Sequence, residues 1–249
     1  MTREEPTTTM VHQRAINLQG SVAQWADELE AADPQAICAW AVSTFGDKVA
    51  LASSFGVEDM CLIDMLVRAA PTPRVFYLDT GLLFPETYAL ADAVAARYGF
   101  VPERRRPALT LARQAEHYGD RLWERDPDAC CRMRKVEPLG QMLKGLDAWI
   151  TGIRRDQTPF RAGARVVELD GKFGLIKINP LVRWTTGQVW RYVRQHRVPY
   201  NPLHDQGYPS IGCVPCTRPV RLGDDPRAGR WANLDKTECG IHPGGAPPA

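Results

Sequence analysis

Two pairs of cysteines give the strongest chemical signal in this sequence. Cys130 and Cys131 are adjacent, and Cys213 and Cys216 form a C-x-x-C pair in a turn that contains proline. Four thiolates can bind either a tetrahedral zinc ion or a [4Fe–4S] cluster. Structural zinc sites usually take each pair from a short knuckle, so the adjacent cysteines favour the iron–sulfur cluster. A C-x-x-C redox pair beside two unrelated thiols, or four thiols without a role, stays an open alternative.

A fifth cysteine lies in a different setting. Cys239 stands ten residues before the chain end, is followed by Gly240 and has His242 three positions on. A thiol on a flexible segment can attack a bound substrate and then move out to meet a reductant, and a nearby imidazolium would raise its thiolate fraction. The residues alone leave both a mobile nucleophile and an incidental thiol open. Cys38 and Cys61 lie in apolar helical patterns, which predicts small buried side chains.

Basic residues gather beside these motifs. The groups are Arg132, Arg134 and Lys135 after the adjacent cysteines, Arg154, Arg155 and Arg161 after a predicted strand, and Arg227 and Arg230 after the C-x-x-C pair. A run of charge is usually a solvated face, but these positions would suit an anionic ligand such as a nucleotide.

The overall charge argues against a polymeric partner. The chain has 31 Lys+Arg against 29 Asp+Glu, so 31 − 29 leaves a net charge of +2. That is too small to draw it onto nucleic acid or an anionic membrane. No apolar run reaches the roughly 18 residues of a membrane-spanning helix, and the first 20 residues lack the apolar segment of a signal peptide. We expect a cytoplasmic protein that binds neither nucleic acid nor membrane.

The elements that must position these residues alternate between strand and helix. The apolar runs predict strands at Lys48–Phe55, Arg74–Gly81, Phe100–Arg104 and Leu146–Arg155, and a hairpin over Arg165–Ile178. Helical spacing predicts helices at Glu58–Ala70, Pro85–Tyr98, Leu109–Tyr118 and Thr185–His196, the last with Val189, Trp190 and Val193 inward. This rhythm predicts an α/β fold in which helices flank a parallel sheet.

Two predicted strand ends carry residues that could hold a nucleotide. In parallel sheets, ligands bind beyond the carboxyl ends of the strands, near a topological switch point. The stretch from Ser53 to Asp59 places hydroxyls and a glycine where a helix begins, and its free N–H groups could hold a phosphate. The stretch from Leu78 to Gly81 could meet a nucleoside with its main chain. The Gly-Lys-Ser/Thr ending of a Walker A loop is missing.

Four motifs together resemble a known family. They are Cys-Cys-x-x-x-Lys (Cys130–Lys135), Cys-x-x-Cys-Thr (Cys213–Thr217), Arg-x-x-Arg-Trp (Arg227–Trp231) and Glu-Cys-Gly-Ile-His (Glu238–His242). They resemble the assimilatory adenylyl-sulfate (adenosine 5′-phosphosulfate) reductases. The two strand ends and the stretch from Pro180 to Pro202 are similar to the wider family of phosphoadenylyl- and adenylyl-sulfate reductases. The resemblance covers residues 48–242 and implies a Rossmann-like, adenine nucleotide alpha-hydrolase-like fold.

The resemblance also implies a reaction and its residues. The reaction is the thioredoxin-dependent reduction of adenosine 5′-phosphosulfate to sulfite and AMP, in sulfate assimilation and cysteine biosynthesis, through an S-sulfocysteine on Cys239. The implied ligands of a [4Fe–4S] cluster are Cys130, Cys131, Cys213 and Cys216. The implied catalytic residues are Cys239, His242 and Lys135, and the implied substrate contacts are Ser53, Asp59, Leu78, Lys135, Arg161, Arg227 and Arg230.

The expected organisation is one α/β domain over residues 21–236, with a flexible arm at 1–20 and a mobile segment at 237–249 that carries the Cys239 thiol. Three rival functions stay open. They are a phosphoadenylyl-sulfate reductase that has kept a cluster, a PP-loop sulfurtransferase or nucleotidyltransferase that cleaves ATP, and a non-enzymatic metal-binding regulator. The last two need no mobile terminal thiol, so the Cys239 motif argues against them.

Overall fold

The structure, a computed structural model, describes residues 20–232, 234 and 236–242. The arm predicted for residues 1–20 lies outside this part of the chain except for its last position, and so do residues 243–249 of the predicted mobile segment.

Six strands form one sheet. They are β1 (Val49–Ser53), β2 (Val75–Leu78), β3 (Glu103–Arg105), β4 (Ala148–Ile150), β5 (Val167–Asp170) and β6 (Leu175–Ile178). Their order across the sheet is β3-β2-β1-β4-β6-β5, with β5 antiparallel to β6 and all other pairs parallel. The predicted hairpin is therefore the antiparallel edge of an otherwise parallel sheet.

Helices connect the parallel strands and cover both faces. They are α1 (20–29), α2 (Pro34–Phe45), α3 (Val57–Ala69), α4 (Pro85–Tyr98), α5 (Leu111–Tyr118), α6 (Leu122–Arg125), α7 (Pro127–Cys131), α8 (Glu137–Leu143) and α9 (Thr186–His196). A π-helical turn (Arg132–Val136) joins α7 to α8. Of these helices, α4 has the predicted bounds, because Pro85 begins it and Gly99, at a left-handed φ of 75°, ends it. None of the described helices combines the length and the hydropathy needed to cross a membrane.

Alternate residues of the central strands enter two separate cores. Leu51 of β1 and Ile150 of β4 belong to the larger core, which packs against α2, α3 and α9. Phe76 of β2 and Trp149 of β4 face the other side and pack with residues of α8. Burial on both faces is what a parallel sheet requires, and it explains why these strands are continuous apolar runs. The second core also contacts Ile241 of the C-terminal segment.

One inward position in α9 was predicted wrongly. Val189 and Val193 are buried, but the third buried residue is Tyr192, while Trp190 is only partly covered. The hydroxyl of Tyr192 donates to the buried Asp64 carboxylate at 2.8 Å, and this bond turns the phenol into the core. Trp190 instead packs its ring against Tyr200 at the edge of the core.

The sheet order places a crevice between β1 and β4. The chain runs from β1 outward through β2 to β3 and then returns to the other side of β1 with β4. Such a reversal is the topological switch point at which ligands bind in open parallel sheets. The residues after β1, β2 and β4 therefore surround the expected ligand site.

Candidate active site

The loop after β1 is folded by its own side chains. The backbone N–H and the hydroxyl of Ser54 both donate to Asp59 Oδ2, at 2.6 and 2.7 Å, and Phe55 N–H donates to Ser53 Oγ at 3.0 Å. Burial raises the pKa of Asp59 to about 6, although the bonds from Ser54 oppose the shift. Asp59 therefore holds the loop together at the start of α3.

Strand β4 leaves the sheet close to this loop because Gly152 has no side chain. A Cβ at Gly152 would collide with Asp59 Oδ1. Only glycine allows this approach of backbone to carboxylate. The exits of β1 and β4 thus form the two walls of a narrow crevice.

The turn after β2 is held by Asp79. Its Oδ1 accepts hydrogen bonds from Gly81 N–H at 2.9 Å and from the Tyr88 hydroxyl at 2.6 Å, and its Oδ2 accepts from Arg104. Burial alone would raise the pKa of Asp79, but these donors lower it below its ordinary value. The fixed turn leaves Leu78 at the wall of the crevice.

A cavity of about 600 Å³ opens from these strand ends. All nine residues that the resemblance implied as catalytic residues or substrate contacts line it: Ser53, Asp59, Leu78, Lys135, Arg161, Arg227, Arg230, Cys239 and His242. They come from the strand-end loops, the π-helical turn, the loop after β4 and the C-terminal region, so the fold gathers segments that are far apart in the chain. Its volume suits a ligand of nucleotide size.

The two cysteine pairs meet in a second, small cavity beside the first. Cys130, Cys131, Cys213 and Cys216 all line it. Burial, and then the neighbouring Cys131 and Cys213, raise the pKa of the Cys130 thiol to about 12. Within residues 20–232, 234 and 236–242, no three His, Cys, Asp or Glu side chains are grouped for a single metal ion. Four sulfur donors around one cavity nevertheless fit the donor set of an iron–sulfur cluster.

Lys135 connects the two cavities, since its side chain lines both. Burial would lower the pKa of its ammonium group, but Cys213, Cys239 and Cys131 raise it above its ordinary value. Lys135 is therefore a buried cation between the cysteine pairs and the thiol of the C-terminal segment.

Arg161 and Arg227 both bind Glu238. Arg161 donates to its two carboxylate oxygens at 3.0 Å each, and Arg227 approaches Oε2 at 3.2 Å. Arg227 also donates to the carbonyl of Thr237 at 2.7 Å. Arg230 lies over the ring of Trp231 instead, and its Nε has no hydrogen-bond partner in the described part of the chain.

The segment that carries Cys239 is docked on the second core. Lys172, in the turn between β5 and β6, donates to the carbonyl of Gly240 at 2.6 Å. The His242 ring stacks on Trp149 with the ring centroids 5.7 Å apart and an angle of 8° between the planes. Residues on both sides of Cys239 are thus fixed, and its thiol lines the large cavity.

The expected imidazolium at His242 is wrong. Burial, and then the nearby charges of Lys177 and Arg161, hold the pKa of His242 well below its ordinary range, so the ring is neutral at neutral pH. Spacing along the chain placed the imidazole close to Cys239 but gave no sign of its burial. Lys135 and Arg227 are instead the cations that interact electrostatically with Cys239.

Two residues that line the cavity were not predicted as functional from the sequence. Glu58 accepts hydrogen bonds from Arg154 and from Gln157, both at 3.0 Å, which ties the loop after β4 to the first turn of α3. Trp149 supplies the surface on which His242 stacks. The sequence contained a signal for the first contact, because an acidic residue lies in the first turn of one strand-end helix and arginines follow the other strand, but none for the second.

Comparison with known proteins decides the family. The sequence model of the phosphoadenosine phosphosulfate reductase domain matches residues 48–219. The chain belongs to this family. An adenosine 5′-phosphosulfate reductase of Halalkalibacterium halodurans is 48% identical over 227 residues, which are 91% of this chain and 98% of the relative. A phosphoadenosine 5′-phosphosulfate reductase of Gloeobacter violaceus is 51% identical over 222 residues, which are 88% of this chain and 90% of the relative.

Solved structures agree with this membership. The crystal structure of a phosphoadenylyl-sulfate reductase from Candida auris has a TM-score of 0.71 and 31% identity, and covers 87% of this chain and 100% of its own. An FMN adenylyltransferase of Candida glabrata, at 16% identity and a TM-score of 0.53 over 90% of this chain and 70% of its own, shares the fold alone. The predicted Rossmann-like α/β fold is confirmed, and so is the enzyme class, an oxidoreductase that acts on a sulfur group.

Proposed function

We propose that this chain reduces adenosine 5′-phosphosulfate to sulfite and AMP with thioredoxin as the electron donor. One observation carries the proposal: the Cys239 thiol lines the same cavity as the strand-end loops and six cationic side chains. The cavity therefore combines a place for a nucleotide, charge for two anionic groups and a nucleophile. The cations are Lys135, Arg154, Arg155, Arg161, Arg227 and Arg230.

Two substrates have to be distinguished. The names of the relatives include both adenosine 5′-phosphosulfate reductases and a phosphoadenosine 5′-phosphosulfate reductase at similar identity. The choice of the first substrate is supported by the two cysteine pairs, which meet at one cavity and correspond to the motifs of the adenylyl-sulfate branch.

The chemical step begins at Cys239. Its thiolate attacks the sulfur of the sulfate group, an S–S bond forms, the bond from that sulfur to the bridging phosphate oxygen breaks, and AMP leaves. A thiolate that approaches a phosphosulfate meets electrostatic repulsion, which Lys135 and the arginines offset. The product on the protein is S-sulfocysteine at Cys239.

Thioredoxin supplies the two electrons in the second half of the reaction. One of its thiolates attacks the Cys239 sulfur and releases sulfite, and its second thiol then resolves the mixed disulfide and restores the Cys239 thiol. The sulfur of the substrate is reduced by two electrons and the dithiol is oxidised to a disulfide. The contacts of residues 237–242 must open for this attack, so we propose that these residues move during turnover.

We further propose that Cys130, Cys131, Cys213 and Cys216 hold a [4Fe–4S] cluster. When bound, such a group would shape the electrostatic field at the substrate and link two distant segments of the chain. The electrons need not pass through it, because the dithiol provides both. A cytoplasmic location follows from this proposal, since free thiolates at the ligand cysteines and at Cys239 need a reducing compartment.

Turnover with the two nucleotides tests the function. The holoprotein, reduced thioredoxin and adenosine 5′-phosphosulfate should give AMP and sulfite in equal amounts, and the 3′-phosphorylated nucleotide should react about tenfold more slowly or worse. Equal or faster turnover of the 3′-phosphorylated nucleotide would favour the rival reductase. Cleavage of ATP to AMP and pyrophosphate, without sulfite, would favour a PP-loop transferase.

Metal analysis tests the cluster separately. Anaerobically purified protein should contain about four iron and four acid-labile sulfide atoms per chain. Cys213→Ser should lose most of this iron, whereas the matched control Cys61→Ser, at a buried thiol near the carbonyl of Val189, should keep it. Zinc in place of iron in the wild-type protein would overturn the cluster assignment.

A further inference from the structure

Glu238 is the acidic residue next to the cysteine of the C-terminal segment, and it lies inside a cluster of cations. Its side chain is 12% exposed, as is that of Arg161, and that of Arg227 is 17% exposed. The contact with Arg161 uses both carboxylate oxygens. Paired contacts of this kind are among the strongest and most directional that a carboxylate can make.

We propose that Glu238 is a positioning residue for Cys239, held by Arg227, and that its carboxylate competes with the anionic end of the substrate for Arg161. The proposal rests on the proposed function, because it takes the phosphosulfate as the ligand of Arg161. It adds that the Glu238 carboxylate occupies Arg161 until the substrate takes its place, while Arg227 keeps the segment docked.

The distribution of cations supports an exchange. Lys135 and Arg230 line the cavity, and within the described residues neither forms an ion pair with a carboxylate. A phosphosulfate has two anionic groups. The first can bind the two unpaired cations, while the second needs the Arg161 guanidinium group that Glu238 occupies.

Arg161 has a second anchor that keeps it in place when Glu238 leaves. Its guanidinium group also donates to Gln157 Oε1, and Gln157 Nε2 donates to Glu58 at 3.0 Å. This chain of hydrogen bonds joins Arg161 to the first turn of α3. The arginine can therefore pass from the carboxylate to the substrate without losing its orientation.

The exchange has opposite effects on binding and on chemistry. Loss of the carboxylate frees Arg161, so the substrate binds more tightly. The same loss removes the contact with Arg227, which holds the residue before Cys239 while the substrate is bound, so the thiol reaches the sulfur less often. A purely structural role would weaken both quantities together.

Equilibrium binding in an unreactive protein separates the two effects. We would measure the dissociation constant of adenosine 5′-phosphosulfate for Cys239→Ser and for the double variant Cys239→Ser/Glu238→Gln, both as loaded holoprotein. The double variant should bind about tenfold more tightly. Glu238→Gln alone should show a lower KM and a kcat reduced about tenfold, and faster alkylation of Cys239 by iodoacetamide, read from the Cys239 peptide.

Two further variants serve as controls. Glu116→Gln changes the net charge equally but removes an exposed pair with Arg113, so it should leave the dissociation constant and kcat unchanged. Glu238→Asp keeps the charge with a shorter reach, so it should lower kcat while binding stays within about twofold of wild type. Unfolding temperatures equal to that of the wild-type protein would show that each variant is folded.

Unchanged or weaker binding in the double variant would overturn the competition. Unchanged kcat and alkylation in Glu238→Gln would overturn the positioning role. These failures differ from failure of the proposed function, in which the wild-type protein itself would produce no sulfite from adenosine 5′-phosphosulfate.

Discussion

The two ends of the large cavity are built in different ways. The end beside β1 and β2 consists of short loops whose side chains bind their own backbone, as Ser53 does with Phe55 and Asp79 does with Gly81. The opposite end, around Cys239, is assembled from side chains that are more than 70 residues apart, as in the pair of Arg161 and Glu238. We call these the nucleotide end and the sulfur end.

This difference separates binding from chemistry. The nucleotide end is fixed by the strands that carry it, so it should present the same main-chain groups whether or not the C-terminal segment is docked. The sulfur end depends on charged side chains that also hold the segment. Substitutions at the nucleotide end should therefore change mainly affinity, and substitutions at the sulfur end mainly the rate of sulfur transfer.

The largest expected effect is at Arg161. Arg161→Met removes a cation from the substrate and from Glu238 together, so kcat/KM for adenosine 5′-phosphosulfate should fall by about 100-fold to 1,000-fold. The matched control is Arg165→Met, because Arg165 pairs with the exposed Asp27 at the surface, and it should change kcat/KM less than about threefold. Equal losses of kcat/KM in Arg161→Met and Arg165→Met would mean that Arg161 has no special role at the sulfur end.

The next largest effect is expected on stability, and it comes from the buried carboxylate of Asp59 at the nucleotide end. Because the pKa of Asp59 is about 6 in the fold against 3.8 as the ordinary value, the folded protein binds this proton more tightly than the unfolded chain. The free energy of unfolding should therefore gain about 2 kcal/mol from this group as the pH falls from about 7 to about 4.

Asp59→Asn should lack that gain. Denaturant unfolding of both proteins at several pH values measures the gain, as the free energy of unfolding of the wild-type protein minus that of Asp59→Asn. This difference should rise as the pH is lowered through 6. A difference that stays constant, or that falls with acidification, would mean that the Asp59 carboxylate is not desolvated as the structure indicates.

More of the nucleotide end than of the sulfur end could be predicted from the sequence. The apolar runs and their alternation with helical spacing predicted the sheet and the placement of the strand ends after Ser53 and Leu78 at its crevice. These features are local, so short stretches of sequence contain them. The spacing of the cysteines singled out Cys213 and Cys239, the family resemblance supplied their roles, and the structure brings them to neighbouring cavities.

The contacts that assemble the sulfur end could not be predicted from the sequence. Nothing in the chain indicates that Glu238 meets Arg161, because the two approach only after the sheet has formed. The stacking of His242 on Trp149 has the same origin, and so does the neutral imidazole, since burial depends on the tertiary packing. Trp190 and Tyr192 are two positions apart in α9, and helical spacing alone did not decide which of them is inward.

A smaller effect than at Arg161 or Asp59 is expected at Ser53. Ser53→Ala removes the acceptor for Phe55 N–H and loosens the loop after β1. The dissociation constant for AMP should rise about tenfold, while kcat stays within about twofold. Ser43→Ala is the matched control, because that exposed hydroxyl contacts the carbonyl of Trp40 far from the cavity. A fall in kcat without a change in affinity would place Ser53 at the chemical step.

The smallest effect is expected at Lys172, whose amine holds the carbonyl of Gly240. Lys172→Ala removes one exposed contact of the docked segment, so alkylation of Cys239 should become about twice as fast and kcat should change less than about twofold. Lys144→Ala, at an exposed lysine after α8, should leave the alkylation rate unchanged. A slower rate in Lys172→Ala would mean that this contact does not hold the segment.

In the proposed reaction, Cys239 takes the sulfur from the substrate. The reduced holoprotein would be mixed with adenosine 5′-phosphosulfate in the absence of thioredoxin, and its mass and that of its Cys239 peptide would then be measured. We expect one added SO3 group per chain, on Cys239, together with one AMP released, and neither in Cys239→Ser. Sulfite formation by Cys239→Ser, or an SO3 group on any other cysteine, would contradict the proposed reaction.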